Sequence, residues 1–159
     1  MNDKKIESRV TTAITLFEQG YNCSQAVFMA YSDRYGIEKK MAAKLATSFG
    51  GGMGRLREVC GAVSGMFLVL GLQYPFIDTN DKVAKNINYK AVQRTAKDFK
   101  LVMGSYICAD LLKIKHEPQN PESSERNEDY YNSHPCTRCV ALAAEIVGKE
   151  LQFNNSKRT

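Results

Sequence analysis

Apolar residues recur at a 3.6-residue spacing along most of this chain, and each interruption is marked by glycine, proline or a polar run. Ile6, Val10, Ala13, Ile14 and Phe17 form the first such stripe, which Gly20 stops. Asn22, with Gln25 three positions on, reads as a capping box opening a second helix through Ala26, Val27, Met29 and Ala30 to about Tyr35, before Gly36. A third helix is expected over Glu38 to Phe49, with Met41, Leu45, Ala46 and Phe49 inward, ending at Gly50-Gly51-Gly52-Met53-Gly54. The fourth is expected from about Glu58 to Leu70, closed by Tyr74-Pro75. A fifth starts near Asp81 or Lys85 and runs to Met103, where Gly104-Ser105 interrupts it before Tyr106 to Ile114. The last spans roughly Pro135 to Leu151, with the proline in the first turn, where its missing N–H costs nothing.

No alternating run long enough for a strand is present, so the expected class is all-α: a single-domain bundle of five to six helices over residues 1–153. His116 to Ser133 carries Pro118, Pro121 and a surplus of acidic residues, which predicts a long, mobile, solvated loop before the last helix. Residues 154–159 are expected to be a disordered tail. The chain shows no internal repeat.

At 159 residues the chain can bury a real core, so cysteines are not needed as scaffolding. Met1 to Val10 is polar and lacks an apolar signal-peptide core, which predicts a cytoplasmic location, where clustered cysteines are more often redox-active or metal-binding than structural. Val59 to Leu72, the longest apolar stretch, contains three glycines and falls short of a membrane span, so an integral membrane protein is not expected. The formal charge of +5 comes from scattered lysines and arginines with no basic tract, which argues against nucleic-acid binding.

All five cysteines fall where a helix is expected to begin: Cys23, Cys60, Cys108, Cys136 and Cys139. Unpaired N–H groups and the positive end of the helix dipole favour thiolate there, so the placement points to sulfur chemistry. In Cys60-Gly61-Ala62-Val63-Ser64-Gly65, small residues including Gly61 and Gly65 strip bulk from one helix turn, allowing a ligand or a second helix to approach Cys60. The glycine run before it lacks a P-loop ending and follows no strand. It is better read as a sharp turn bringing Arg55 or Arg57 to Cys60, whose thiolate a guanidinium would hold. Cys136-Thr137-Arg138-Cys139 adds a Cys-x-x-Cys, which suits either a dithiol or half of a zinc site. His134 beside it is a possible ligand that reads more simply as a loop histidine, and His116 has no partner in sequence.

Gly-Tyr-Asn-Cys-Ser-Gln-Ala at 20 to 26, Phe-Gly-Gly-Gly-Met-Gly-Arg at 49 to 55, Cys-Gly-Ala-Val-Ser-Gly at 60 to 65, Gly-Ser with Cys108, and Cys139-Val140 leading into Ala-Ala-Glu-Ile together resemble the C_GCAxxG_C_C family, presumed redox-active from its cysteines. Residue by residue, the resemblance implies a family set of Cys23, Cys60, Cys108 and Cys139, with Cys136 an addition. Arg57 and Pro75 depart from it, standing where glycine is common. The resemblance also implies a small cytoplasmic protein, often encoded near transporter genes, with no settled substrate.

Three functions are compatible with these residues. The first is a thiol/disulfide redox protein in which Cys23, Cys60, Cys108 and Cys139 form one or two dithiol pairs exchanging with an unknown redox partner. In the second, the same four sulfurs hold zinc or an iron–sulfur cluster, although their separation fits no local zinc-finger or ferredoxin pattern. The third is a helical ligand-binding or transporter-associated accessory protein with buried cysteines. Cofactor, substrate and oligomeric state are not written in the sequence.

Overall fold

The computed structural model describes residues 1–155, and the last four residues of the expected tail lie outside the described residues. Among the described residues eight helices follow one another: α1 (Asp3–Glu18), α2 (Cys23–Ser32), α3 (Lys39–Ala46), α4 (Gly61–Gln73), α5 (Lys82–Met103), α6 (Cys108–Leu112), α7 (Glu128–Ser133) and α8 (Cys136–Asn155). Among the described residues there is no strand, only one isolated antiparallel bridge between Val59 and Ile107. The bundle is all-α, with α6 inside the expected Tyr106 to Ile114 segment and α7 a short helix within the expected loop, which takes the count above five to six.

Local chemistry accounts for the starts. Asn2 caps α1 by accepting the Lys5 N–H, and Asp81 caps α5 by accepting the Ala84 N–H. At α2 both halves of the expected capping box form: Asn22 Oδ1 accepts the Gln25 N–H at 2.9 Å, and Gln25 Oε1 accepts the Asn22 N–H at 3.0 Å. Gly20, Gly36 and Gly104 take positive φ where the elements before them end, as the sequence predicts.

Helix α2 is buried on every side from Ala26 to Ser32 and packs against α1, α4 and α8. The Tyr31 hydroxyl donates to the Ala144 carbonyl at 2.7 Å, tying α2 to α8 at the centre. Helix α5 lies outside, burying only the stripe Ala91, Thr95, Phe99. It is pinned to α8 by the fork of Arg94 on Glu150, at 3.0 and 2.6 Å, while the Tyr74 hydroxyl meets the same carboxylate at 3.1 Å.

Several boundaries and one face differ from expectation. Helix α4 begins at Gly61 rather than Glu58, because Val59 and Cys60 stay extended to pair with Tyr106 and Ile107. Helix α8 runs past Leu151 to Asn155, two residues into the expected tail. In α3 the buried residues are Ala42 and Ala46, whereas Met41 and Leu45 are half exposed. Two alanines let α3 lie close against α2, and that close approach outweighs burial of the two larger side chains. The expected loop before α8 ends in α7, capped by Asn127, whose Tyr130 and Tyr131 pack on the core. No helix among the described residues is long and apolar enough to cross a membrane.

Candidate functional site

The glycine run does more than turn the chain. Gly51, Gly52, Met53, Gly54 and Arg55 all have φ between 62° and 69°, so five consecutive residues trace a left-handed turn, and Arg57 follows at 63°. Glycine accepts this region freely, but Met53, Arg55 and Arg57 each forgo roughly 1–2 kcal/mol to enter it. Gly52 is required on two grounds: its φ, and the 2.6 Å that would separate an added Cβ from the Cys108 Cβ. Hydrogen bonds on the strained carbonyls hold the turn. Arg55 O accepts the Gln119 N–H at 3.1 Å and Arg57 O accepts the Ala109 N–H at 3.2 Å. The departure at position 57 thus leaves a glycine-like backbone carrying a buried guanidinium.

Four helix starts converge beside this turn. Cys23 opens α2, Cys60 caps α4, Cys108 opens α6, and Cys136 and Cys139 occupy the first turn of α8. The bridge locks two of them together: the Cys60 N–H donates to Tyr106 O at 2.8 Å and the Cys108 N–H to Glu58 O at 2.6 Å. A Cβ on Gly61 would lie 2.4 Å from Cys23 Sγ, so the absent side chain is what lets α2 and α4 meet at that sulfur. All five cysteines line one cavity of about 220 Å³, together with Gly61, Arg55, Arg57 and Arg126. Arg57 Nη1 lies 3.6 Å from Cys108 Sγ, Cys139 neighbours Cys60, and Tyr130 neighbours Cys136.

The family described as "Putative redox-active protein (C_GCAxxG_C_C)" matches residues 21–150, a span that contains every cysteine and both glycine motifs. The chain belongs to the C_GCAxxG_C_C family. No curated protein and no solved structure matches it. Within this C_GCAxxG_C_C cavity the sequence-predicted residues divide. Cys23, Cys60, Cys108, Cys139, Gly61 and Arg55 line it. Gly65 lies one turn deeper, where its missing Cβ admits the Ser24 carbonyl, so it serves the contact between α2 and α4. Cys136, set apart from the family cysteines by sequence, faces the same space.

For Cys23, Cys60, Cys108 and Cys136 the expectation that helix starts favour thiolate is opposed by burial. Cys23 is pushed up to about 12, first by burial and then by the neighbouring Cys60, while N–H groups of Gly51 and Ser24 pull the other way. Cys136 is likewise pushed up to about 12, chiefly by burial and then by Cys23 and Cys60. Both retain surface on the cavity. The neighbouring Cys139 thiol raises Cys60 well above the ordinary value, and burial adds to it; the N–H groups of Val63 and Ala62 oppose it. Helix-terminus effects of about 0.3–1 kcal/mol are smaller than the desolvation of a buried anion, which shifts a titration by up to several units. Arginine assistance also falls elsewhere than expected. The Arg57 guanidinium contacts Cys108 and opposes the rise that burial causes there, and no such contact holds Cys60.

Metal ligation finds no matching geometry. Among the described residues no group of three or more His, Cys, Asp or Glu side chains is arranged to hold an ion. The His134 ring stacks on Tyr130 with centroids 4.2 Å apart, and its Nδ1 faces Ser133 Oγ and Tyr130 O, while His116 pairs with Asp110. Sequence reasoning missed Gln119, Arg126 and Tyr130, all from the expected loop. Arg126 Nη1 donates to the carbonyls of Phe17 at 2.7 Å and Tyr21 at 2.8 Å, closing the end of α1 while its guanidinium covers the Phe17 ring. The Asn127 cap followed by Tyr130-Tyr131 was the signal that could have found them.

Proposed function

We propose that this protein is a thiol/disulfide redox protein whose working pair is Cys60 and Cys139, acting within the cluster that also holds Cys23 and Cys108. The observation that supports this reading is the approach of two buried thiols from α4 and α8, near enough for Cys139 to suppress ionisation of Cys60, in a cavity lined by the remaining cysteines. Crowded, desolvated thiols cannot ionise together, whereas a disulfide bond removes both titrating groups at once. The oxidant is a partner disulfide. One thiolate of the pair attacks it, forming a mixed disulfide and releasing the first partner thiol. The second cysteine then displaces the other partner sulfur. Two protein S–H bonds and the partner S–S bond are lost, one protein S–S bond forms, and the partner leaves as two thiols carrying both protons.

The test is equilibration with glutathione redox buffers, acid quenching, differential alkylation and peptide mass spectrometry. We expect a two-electron transition producing one intramolecular bond between 60 and 139, unchanged in Cys136→Ser and lost in Cys139→Ser. A bond between 136 and 139 would make the Cys-x-x-Cys the working unit. The absence of any intramolecular disulfide across the range of potentials would refute the redox reading.

A further inference from the structure

The cavity wall contains three guanidiniums, from Arg55, Arg57 and Arg126, and no aspartate or glutamate. Two of the three are occupied by the protein itself. Arg57 uses Nε on Gln119 Oε1 at 3.2 Å and Nη1 on Cys108, and Arg126 uses Nη1 on the two carbonyls at the end of α1. Arg55 is different. Among the described residues its one side-chain hydrogen bond is a long contact of 3.4 Å from Nη1 to Ser124 Oγ, and its Nε is shut off from solvent with no acceptor there. A buried charged donor left without an acceptor is costly, and so is the left-handed backbone at Arg55 that aims the side chain inward. Both features are accounted for if the acceptor arrives with a ligand.

We propose that the cavity binds a small carboxylate-bearing disulfide, with Arg55 as the anchor for its carboxylate; this rests on the thiol/disulfide reading above. A guanidinium fork matches a carboxylate in shape and charge, and the three positive charges facing the cavity admit an anion and repel a cation. The volume of about 220 Å³ lies below the roughly 300 Å³ at which pockets begin to enclose drug-sized molecules, so the ligand is small. Bound this way, the carboxylate fixes the disulfide among the cysteines. Exchange then follows the balance already given, with the ligand leaving as two thiol-carboxylates and the protein retaining one disulfide.

The experiment uses three symmetric disulfides differing in charge: 3,3′-dithiodipropionate, 2-hydroxyethyl disulfide and cystamine. Each oxidises the reduced full chain, wild type or Arg55→Gln, and the rate of protein disulfide formation is followed by quenched mass spectrometry. Dividing wild-type by variant rates removes the intrinsic reactivity of each disulfide. We expect a ratio of about tenfold for the dicarboxylate, the order a charge-assisted hydrogen bond supplies. The ratio should be near one for the neutral disulfide and below one for cystamine. Suberate, which replaces the dicarboxylate's sulfurs with methylenes, tests the site on the wild type alone: it should slow cysteine alkylation, whereas 1,8-octanediol should not. Equal ratios for all three disulfides would overturn the anion site and leave the redox reading standing. Failure of all three to form a protein disulfide would overturn the redox reading, and the anion site would then stand or fall on suberate protection. Should Arg55→Gln not fold, the same suberate comparison decides.

Discussion

Gly61→Ala adds a single methyl group at the point where α2 and α4 meet, and the consequence can be worked from distances. The new Cβ would lie 2.4 Å from Cys23 Sγ, 2.8 Å from Phe49 O and 3.2 Å from Gly50 Cα. The sulfur can rotate aside, but the backbone carbonyl and Cα can retreat only if the left-handed turn moves with them. Overpacking of this kind costs about 1–3 kcal/mol, offset by up to about 1 kcal/mol of helix propensity gained over glycine. With the full offset the net loss is about 0–2 kcal/mol, which lowers Tm by up to about 6 °C in a chain of this size. Gly71, in the same helix with nothing within 4 Å of its absent Cβ, is the control. Gly71→Ala should raise Tm by about 1–3 °C through propensity alone. Both variants are read by circular-dichroism melting under a phosphine reductant, with iodoacetamide labelling of Cys23 reporting the site. If Gly61→Ala melts at or above wild type with Cys23 labelled at the wild-type rate, the close approach of α2 and α4 does not depend on the missing side chain and the reasoning fails.

Because Cys23 and Cys136 are raised from 9.0 to about 12, the reduced folded protein holds protons that the unfolded chain has released, so stability should decline as pH rises from about 9 toward 12. Denaturant midpoints that stay flat or increase over that range under reductant would contradict the burial of these thiols. Arg57→Gln removes the guanidinium beside Cys108 and should slow alkylation of that cysteine several-fold at neutral pH while leaving Cys139 unchanged; equal rates at Cys108 would show the contact has no electrostatic effect. Arg126→Ala frees the segment before α7 from the end of α1 and should speed labelling of cavity cysteines, with a Tm loss of only a few degrees. Replacing residues 116–126 by a Gly-Ser linker of equal length should have the same effect, and unfolding on that replacement would show the segment is structural rather than a cover.

Interactions that close within four residues are legible in the sequence alone. The Asn22 and Gln25 capping box, the glycine stops at 20, 36 and 104, the apolar stripe of α1 and the placing of cysteines at helix starts all depend on hydrogen bonds and periodicity inside one turn. Which face of α3 turns inward is not, because Ala42 and Ala46 win only when another helix presents a surface flat enough to need small residues. The same limit applies to the site. Sequence places Arg57 three residues before Cys60, yet the left-handed turn directs its side chain to Cys108, 51 positions away. The protonation of Cys23 and Cys60 follows the same rule: a helix start favours the anion, whereas burial, which opposes it, exists only once four helices and the strap from Arg126 have closed around the sulfurs. Pair energies that depend on chain segments tens of residues apart leave no mark on local spacing, so the cysteines, Gly61 and Arg55 were legible in the sequence, whereas Arg126, Tyr130 and the connectivity of the site were not.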